Sequence, residues 1–423
     1  MITVIAQVDT AGLRALLEIL TLQGGHNTTV VMLGAALLGL AGGLVGAFAL
    51  LRKRSLGVDA LSHATLPGLA LAFLLAHWLG VAPNSALLLA GAAATGLLAM
   101  WCVELVHRHT RLSEDTAIGM SLSVFFGAGI VLLSIIQASG GAQGGLKSFV
   151  YGQAASMLPN EVGITGAIAL LAIIAALAFH KELALVAFDE AFARVGGWRV
   201  SLLDGVLLAL ITMVTVAGLR SVGAILVVAM LIIPAAAARF WTDRVARVLV
   251  LSGAMGAVSA YVGVAVSALA PRAPTGPLIV LSAGAVFLVS MALAPRRGVI
   301  SSALRRMRVR MQVAQDHALR RLLHAESKDL HFRCPRCLFS MLRVRGLVRL
   351  ENGSPVLTTA GAARATRIER NHRLWTQYLI SQAEIAPSHV DWSVDQVEHV
   401  LSPELIAELE SELAAASPAP GAA

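Results

Sequence analysis

Apolar stretches recur along the first 295 residues of this chain, and each is about 20 residues long, enough to cross a hydrocarbon layer of about 30 Å as a helix. The composition agrees with this pattern. Of all residues 57% are hydrophobic and only 14% are charged, whereas about 25% are charged in a soluble domain. The sequence therefore predicts an all-α polytopic membrane protein with about eight to nine transmembrane helices.

Nine spans are predicted, and the connection around Ser221 is so short that a re-entrant or broken helix is the alternative there. The predicted spans are 28–51, 64–82, 85–106, 116–137, 161–179, 201–219, 222–240, 248–270 and 277–295. Basic residues such as Arg52, Lys181 and Arg244 follow the odd-numbered spans. The positive-inside rule then predicts an outward N-terminal segment, residues 1–27, and a cytoplasmic C-terminus.

The composition changes after the last span. Residues 300–311 form a basic, helical linker, for which binding to anionic lipid headgroups and plain solvation are both open interpretations. Residues 312–413 have the composition of a soluble domain, which follows a membrane domain predicted at 28–299. The last residues, 414–423, are predicted to be disordered.

The run GVDALSHATLPG, from Gly57 to Gly68, combines a carboxylate and an imidazole with an apolar segment. Asp59 and His63 are four residues apart, so on a helix they share one face and can hold a divalent cation together. A charged side chain within a bilayer costs about 2.5–3.5 kcal/mol even on the lenient insertion scale, so such residues often mark a transport path. The alternative is an aspartate at a helix end near lipid headgroups, beside a structural histidine.

Several sequence motifs are absent. No Gly-x-x-x-x-Gly-Lys-Ser/Thr phosphate loop occurs, so any ATP-driven process needs a separate ATPase subunit. No GxSxG, HExxH or kinase motif occurs either, and no enzymatic activity is expected of this chain. Cys334 and Cys337 form a single CxxC, for which two free thiols are the expected state in a reducing cytoplasm, with a zinc site that includes His324 or His331 as the alternative.

Six sequence blocks, in order, resemble the ABC-3 permeases, the membrane subunits of bacterial zinc, manganese and iron ABC importers. The blocks are LLRKRSLGVDALSHATLPGLALAF, SEDTAIGMSLSVFFGAGIVLLS, YGQAASMLPNEV, KELALVAFDEAFARVGG, VGAILVVAMLIIPAAAARFWTDR and PTGPLIVL. The resemblance covers roughly residues 28–299. It implies a bacterial inner-membrane permease that works as a two-fold dimer with a second copy or a paralogue. It also implies a cytosolic ATPase partner and an extracytoplasmic metal-binding protein.

The resemblance gives further residues a role. Two copies of Asp59 and His63 about a dimer axis would supply two oxygen and two nitrogen ligands, which suit Mn²⁺, Zn²⁺ or Fe²⁺. Glu114 and Asp115 are candidate exit ligands, with favourable charge at a helix N-terminus as the alternative. The segment from Phe188 to Gly197 resembles the part that docks on the ATPase, with an interfacial helix as the alternative. Its candidate residues are Phe188, Asp189, Glu190, Phe192, Arg194 and Gly196.

The tail, from about 312 to 410, resembles the DtxR/MntR metalloregulators, which have a winged helix followed by a metal-binding, dimerising helical part. Asn352-Gly353 between two apolar runs predicts the hairpin of the wing, and a helix is predicted from Ala363 to about Ile380. The resemblance implies an oxygen/nitrogen site for a regulatory metal, and a solvated helix face is the alternative. The implied ligands are His372, Asp395, Glu398 and His399.

A shortened helix-turn-helix makes DNA an unexpected partner of the tail. The leading hypothesis is therefore an importer permease for Mn²⁺, Zn²⁺ or Fe²⁺ whose cytosolic tail senses metal and regulates uptake. No tightly bound cofactor is expected, and the metal is the substrate and the candidate regulatory ligand. A membrane-tethered metal-responsive regulator and a proton-driven metal transporter are the alternatives.

Overall fold

The structure is a computed structural model that describes residues 18–23, 25–81, 84–138, 157, 159–224, 226–269, 273–326, 336–351, 354–381, 404, 406–409 and 411. The chain divides into two compact units, Met1–Ser301 and Ser302–Ala423. The first unit contains the apolar segments and the second contains the polar tail, as the composition predicts.

Helices joined by short connections make up the described residues of the membrane unit. Its helices are α1 (His26–Leu51), α2 (Ser55–Trp78), α3 (Ser85–His109), α4 (Glu114–Ala138), α5 (Pro159–Ala178), α6 (His180–Phe188), α7 (Glu190–Val195), α8 (Val200–Ser221), α9 (Val227–Trp241), α10 (Val245–Leu269) and α11 (Thr275–Leu293). In the part of the chain that the structure describes, eight of these are long and apolar enough to cross a membrane. The predicted fold class is thereby confirmed.

The seventh predicted span, 222–240, differs from the prediction. Its helix, α9, has 15 residues, which at 1.5 Å per residue gives about 22 Å, less than the roughly 30 Å of a hydrocarbon core. The described residues between Ser221 and Val227, which are 222–224 and 226, are not helical, and Gly223 has a φ of +95°. Ser221, Val222 and Ala224 are all buried. The structure thus shows a broken helix at the connection whose shortness had suggested one.

The second predicted span begins too late. Helix α2 starts at Ser55 rather than at residue 64, and Asp59 and His63 lie within it, four residues apart. The structure pairs the charges of Arg52 and Arg54 with Asp204, which is 152 and 150 positions away, and the helix begins directly after the turn.

Helix α1 lies in the core of the membrane unit and packs tightly on α10. A Cβ on Gly43 would come within 2.1 Å of the Ser252 carbonyl oxygen, so only glycine permits this approach. The Ser252 hydroxyl donates a hydrogen bond of 2.6 Å to the Gly43 carbonyl. Small residues and interhelical hydrogen bonds of this kind hold helices together in membranes, where lipid offers no hydrophobic driving force.

The second unit contains the rest of α12 (Val299–Glu326), then α13 (Arg336–Val344), β1 (Val348–Glu351), β2 (Ser354–Leu357) and α14 (Thr359–Ser381). The two strands pair antiparallel, with Val348 opposite Leu357 and Glu351 opposite Ser354. The predicted hairpin is therefore confirmed, and the predicted helix at 363–380 starts four residues earlier. A small apolar core joins these elements and includes Leu319, Leu342, Val348, Leu357 and Ala365.

Candidate metal site and its surroundings

Asp59 and His63 lie one turn apart on α2, with 3.6 Å between His63 Nε2 and Asp59 Oδ1. The His63 side chain is 21% exposed and that of Asp59 is 41% exposed, although most of α2 is buried. His63 Nδ1 is buried and has no hydrogen-bond partner in the described part of the chain. The pair thus offers an oxygen and a nitrogen that are only weakly engaged with each other, a suitable starting point for a divalent cation.

Helix α4 fixes the position of the His63 ring. The ring packs edge-on against Phe126, with 4.9 Å between centroids and 76° between planes. One turn further along α4, a Cβ on Gly129 would lie 2.9 Å from Leu66 Cβ and 3.1 Å from Pro67. Because Gly129 lets the two helices approach so closely there, Phe126 reaches the imidazole. The sequence showed neither of these contacts.

The broken segment between α8 and α9 packs directly beside the candidate pair. Ser62, which lies between Asp59 and His63 in sequence, is buried and donates a hydrogen bond to the Ala224 carbonyl. Thr65 is also buried and donates to the Ser62 carbonyl at 2.6 Å. The non-helical backbone is therefore anchored to the helix that presents Asp59 and His63. Ser62 is a site residue that sequence reasoning missed, because its partner is 162 positions away.

A polar cavity of about 660 Å³ lies at the end of the membrane unit where α1 ends and α2 begins. Its lining comes from the ends of several helices: Arg52, Arg54, Glu104, His107, Arg108, Glu114, Glu190, Arg194, Val200, Ser201 and Asp204. The loops after the first, third and fifth predicted spans therefore meet at one end of the unit, as the alternation of basic loops requires. Ser85 and Glu161, from the N-terminal ends of α3 and α5, make a hydrogen bond of 3.2 Å to each other.

Arg52 has the most partners in this cavity. Its guanidinium binds both carboxylate oxygens of Asp204, at 3.0 and 2.9 Å, and donates to the Val186 carbonyl at 3.1 Å. It also pairs with Glu190 at 2.9 Å. The hydrogen bond to Asp204 raises the pKa of Arg52 above its ordinary value, although burial opposes the charge. Sequence reasoning used Arg52 only for topology and missed Asp204 altogether.

The two candidate exit residues occupy different positions. Glu114 lines the cavity and lies 3.7 Å from Arg54 Nε, whereas Asp115 is exposed. Both lie in the first turn of α4. Among the residues that the structure describes, no group of three or more His, Cys, Asp and Glu side chains could hold a metal ion. The structure therefore does not bring Glu114 or Asp115 together with Asp59 and His63 as one site.

The predicted docking segment, Phe188 to Gly197, contains the last residue of α6 and all of the short helix α7. Asp189 caps α7 by accepting a hydrogen bond of 2.8 Å from the Phe192 backbone N–H, and Gly196 N–H donates to the Phe192 carbonyl at its end. Phe188, Phe192 and Val195 expose large apolar surfaces. Hydrogen bonds from Arg194 and Arg52 lower the pKa of Glu190, so this carboxylate stays ionised against the slight effect of burial.

In the tail, His372 is in contact with the guanidinium of Arg320. Arg320 Nη1 lies 3.1 Å from His372 Nδ1, and Arg320 Nε donates to Glu369 at 2.8 Å. Burial of the Glu369 carboxyl opposes ionisation, but hydrogen bonds from Arg320, His324 and Arg373 outweigh it and lower the pKa of Glu369. The Thr376 hydroxyl donates to the His372 carbonyl at 2.7 Å.

The other three predicted ligands of the tail lie outside the described residues: Asp395, Glu398 and His399. Cys334 also lies outside them, and only the backbone of Cys337 is described, at the start of α13. The assignment of His372 to a metal site with those three residues therefore stays a prediction.

Two protein families match the chain. The model of the ABC 3 transport family matches residues 26–294, and that of the iron dependent repressor, metal binding and dimerisation domain, matches residues 358–420. The second match covers α14, on which His372 lies. The first covers all of the membrane helices from α1 to α11.

Similar proteins have the same membrane domain. The manganese transport system membrane protein MntC of Bacillus subtilis is 38% identical over 386 residues, which cover 87% of this chain and 88% of the relative. The zinc transport system membrane protein TroC of Treponema pallidum is 43% identical over 66% of this chain and 93% of its own length. A solved structure, PsaBC from Streptococcus pneumoniae in complex with Fab, superposes with a TM-score of 0.56 at 34% identity over 65% of this chain and 95% of that chain. The chain therefore belongs to the ABC 3 transport family.

Proposed function

We propose that the chain is the membrane permease subunit of an ABC importer for Mn²⁺, Zn²⁺ or Fe²⁺, and that Asp59 and His63 bind the ion during transport. The observation that carries this proposal is the pair itself. An aspartate and a histidine lie 3.6 Å apart on a largely buried apolar helix, and one imidazole nitrogen has no partner among the described residues. A bilayer-spanning helix tolerates such groups where they have a function.

One chain supplies too few ligands for a divalent ion. No group of three or more ligating side chains occurs in the described ranges, whereas transition metals bind four to six donors. Asp59 is 41% exposed on the surface of this single copy. A second copy or a paralogue, placed about a two-fold axis, would add another carboxylate and imidazole. Oxygen and nitrogen donors suit all three proposed ions and disfavour Cu(I), which prefers sulfur.

The energy for transport comes from a partner in this proposal. The chain has no phosphate-binding loop, and the exposed apolar residues Phe188, Phe192 and Val195 form a surface that fits a groove on a cytosolic ATPase. In this proposal the polar cavity opens on the cytoplasmic side of the membrane and the N-terminus lies outside. An extracytoplasmic metal-binding protein would then bind to the outer side of the permease. The relatives named as manganese and zinc transport proteins support the choice of cargo.

The tail acts as a metal sensor in the same proposal. His372, Asp395, Glu398 and His399 offer oxygen and nitrogen donors of the kind that Mn²⁺ and Fe²⁺ accept. Metal bound there would favour one tail arrangement and reduce uptake when the cell is replete. Such control requires a difference in affinity between two states, typically worth about 1–3 kcal/mol.

The test is metal uptake by the complete complex in proteoliposomes. Asp59→Ala and His63→Ala should each abolish ATP-dependent uptake of radiolabelled Mn²⁺ or Zn²⁺. The matched control is His77→Ala, because His77 is an exposed histidine at the far end of the same helix. Normal uptake by either site variant would refute the ligand assignment, and uptake without the ATPase would favour a proton-driven transporter.

A further inference from the structure

Arg52 joins three parts of the membrane unit that are far apart in sequence. It follows α1 directly and binds Asp204 near the start of α8, the Val186 carbonyl in α6, and Glu190, the first residue of α7. Its side chain is 14% exposed. A planar guanidinium has five donors in a fixed fork, so it can bind a carboxylate with two parallel hydrogen bonds and still reach other acceptors.

The Asp204 carboxylate also binds the residue that precedes α2. Arg54, immediately before α2, donates to Asp204 Oδ2 at 3.2 Å and lies 3.7 Å from Glu114 of α4. Lys53, between the two arginines, has a φ of +59°, which is uncommon for a residue with a side chain. The turn from α1 to α2 is therefore a tight, strained link whose two flanking side chains bind one acceptor. Asp59 follows only five residues after Arg54.

Glu190 is the part of this network that belongs to the docking segment. It pairs with Arg52 and with Arg194, and its helix α7 exposes Phe192 and Val195. An isolated surface ion pair contributes little, about 0–1 kcal/mol. Arg52 and Asp204 are instead largely buried, at 14% and 16% exposure, and share several charge-assisted hydrogen bonds. A displacement of α7 must therefore move or break this network.

We propose that Arg52 is a positioning residue that couples the ATPase to the metal site, by linking Glu190 on α7 to the start of the helix that carries Asp59 and His63. The proposal rests on the function proposed above, because it needs α7 to dock on the ATPase. Movement of α7 pulls Glu190, Arg52 transmits the movement through Asp204 and the strained turn, and α2 shifts with its two ligands. Without the link, ATP is hydrolysed but less metal is moved.

The test measures metal transported per ATP hydrolysed by the complete complex of permease, ATPase and metal-binding protein. Glu190→Gln and Arg52→Gln should each lower this ratio about 5-fold or more, within the usual range for coupling between sites. The double variant should be no worse than the worse single one, because both remove the same contact. Arg52→Lys keeps the charge but loses the fork, so it should restore only part of the ratio.

The matched control is Glu104→Gln. Glu104 lines the same cavity and pairs with Arg108 one turn away, and its side chain is 40% exposed against 38% for Glu190. It has no contact with Arg52 in the described structure, so the ratio should not change. Copurification of the ATPase with each variant separates loss of docking from loss of coupling.

Three results would overturn the proposal. The first is a wild-type ratio of metal transported per ATP hydrolysed in both single variants. The second is an equal fall of this ratio in the Glu104→Gln control. The third is a double variant whose loss equals the product of the two single losses. A wild-type complex that moves no divalent metal at all would instead refute the proposed function, before any variant is compared.

Discussion

The two histidines proposed to bind metal have opposite surroundings. His63 in the membrane lies 3.6 Å from its aspartate, and its other nitrogen has no partner among the described residues. His372 in the tail is 3.1 Å from a guanidinium, in a cluster where Glu369 accepts hydrogen bonds from Arg320, His324 and Arg373. A transport site must bind an ion and release it quickly, so weakly engaged ligands suit it. A sensor whose histidine is already in contact with a guanidinium binds metal only after that group is displaced, so it responds only when metal is abundant.

The largest expected effect concerns the membrane pair. Asp59→Ala and His63→Ala should each reduce metal uptake by about 100-fold or more, since the loss of one ligand leaves the metal ion with an incomplete coordination sphere. The double variant should be no worse than either single variant, because the two side chains act as one unit. The measurement is initial uptake rate at saturating metal, and multiplicative losses would show that the residues act independently.

A smaller effect is expected from the centre of the tail cluster. Glu369→Gln should destabilise the tail by about 1–3 kcal/mol at neutral pH, because it removes a largely buried carboxylate that accepts hydrogen bonds from Arg320, His324 and Arg373. The pKa of Glu369 is lowered in the folded chain. Its contribution is therefore present above the ordinary glutamate pKa and is lost as the pH falls through the lowered folded value.

Pulse proteolysis of the tail within the full-length chain measures this difference. The difference in the free energy of unfolding between wild type and Glu369→Gln should become steadily smaller as the pH falls into the acid range. A gap that stays constant down to acid pH would mean that shape, and not charge, is what Glu369 contributes.

A third expectation tests whether the Arg320 guanidinium competes with metal for His372. Arg320→Gln should tighten Mn²⁺ binding to the tail by about tenfold, because it removes a positive charge from beside His372. The matched control is Arg373→Gln, since Arg373 binds the same Glu369 but is mostly exposed. Calorimetric titration of the full-length chain on an Asp59→Ala background gives both affinities. Equal affinities in the two variants would remove the contrast between the two histidines.

The smallest expected effect concerns Ser62. Ser62→Ala leaves the buried Ala224 carbonyl without its hydroxyl donor, which costs about 1 kcal/mol, and should reduce uptake less than tenfold. Ser123→Ala is the control, because its hydroxyl is bonded within its own helix at an exposed position. Thermal stability of the purified permease and uptake rate are measured together. An unchanged melting temperature would show that the broken segment does not depend on this contact.

The sequence predicts most of the helices because hydropathy depends only on neighbouring residues. It also predicts the hairpin, since Asn352-Gly353 is a strong local turn signal. It places the start of α2 nine residues too late, because the charges of Arg52 and Arg54 are neutralised by Asp204, which lies 152 and 150 positions away. Arg320 and His372, which are in contact, are likewise 52 positions apart in the sequence. Candidate ligands could thus be named from local patterns, whereas their partners depend on tertiary packing.

The close contact of α1 with α10 has a consequence for the transport cycle. Backbone oxygens there lie where a single methyl group would collide, at Gly39 against Gly256 and at Gly43 against Ser252. Two helices so closely meshed cannot slide past each other without separating first. We therefore expect this seam between α1 and α10 to stay closed while the permease opens to each side of the membrane in turn. Cysteine bridges across neighbouring positions of the seam should therefore leave the cycle running.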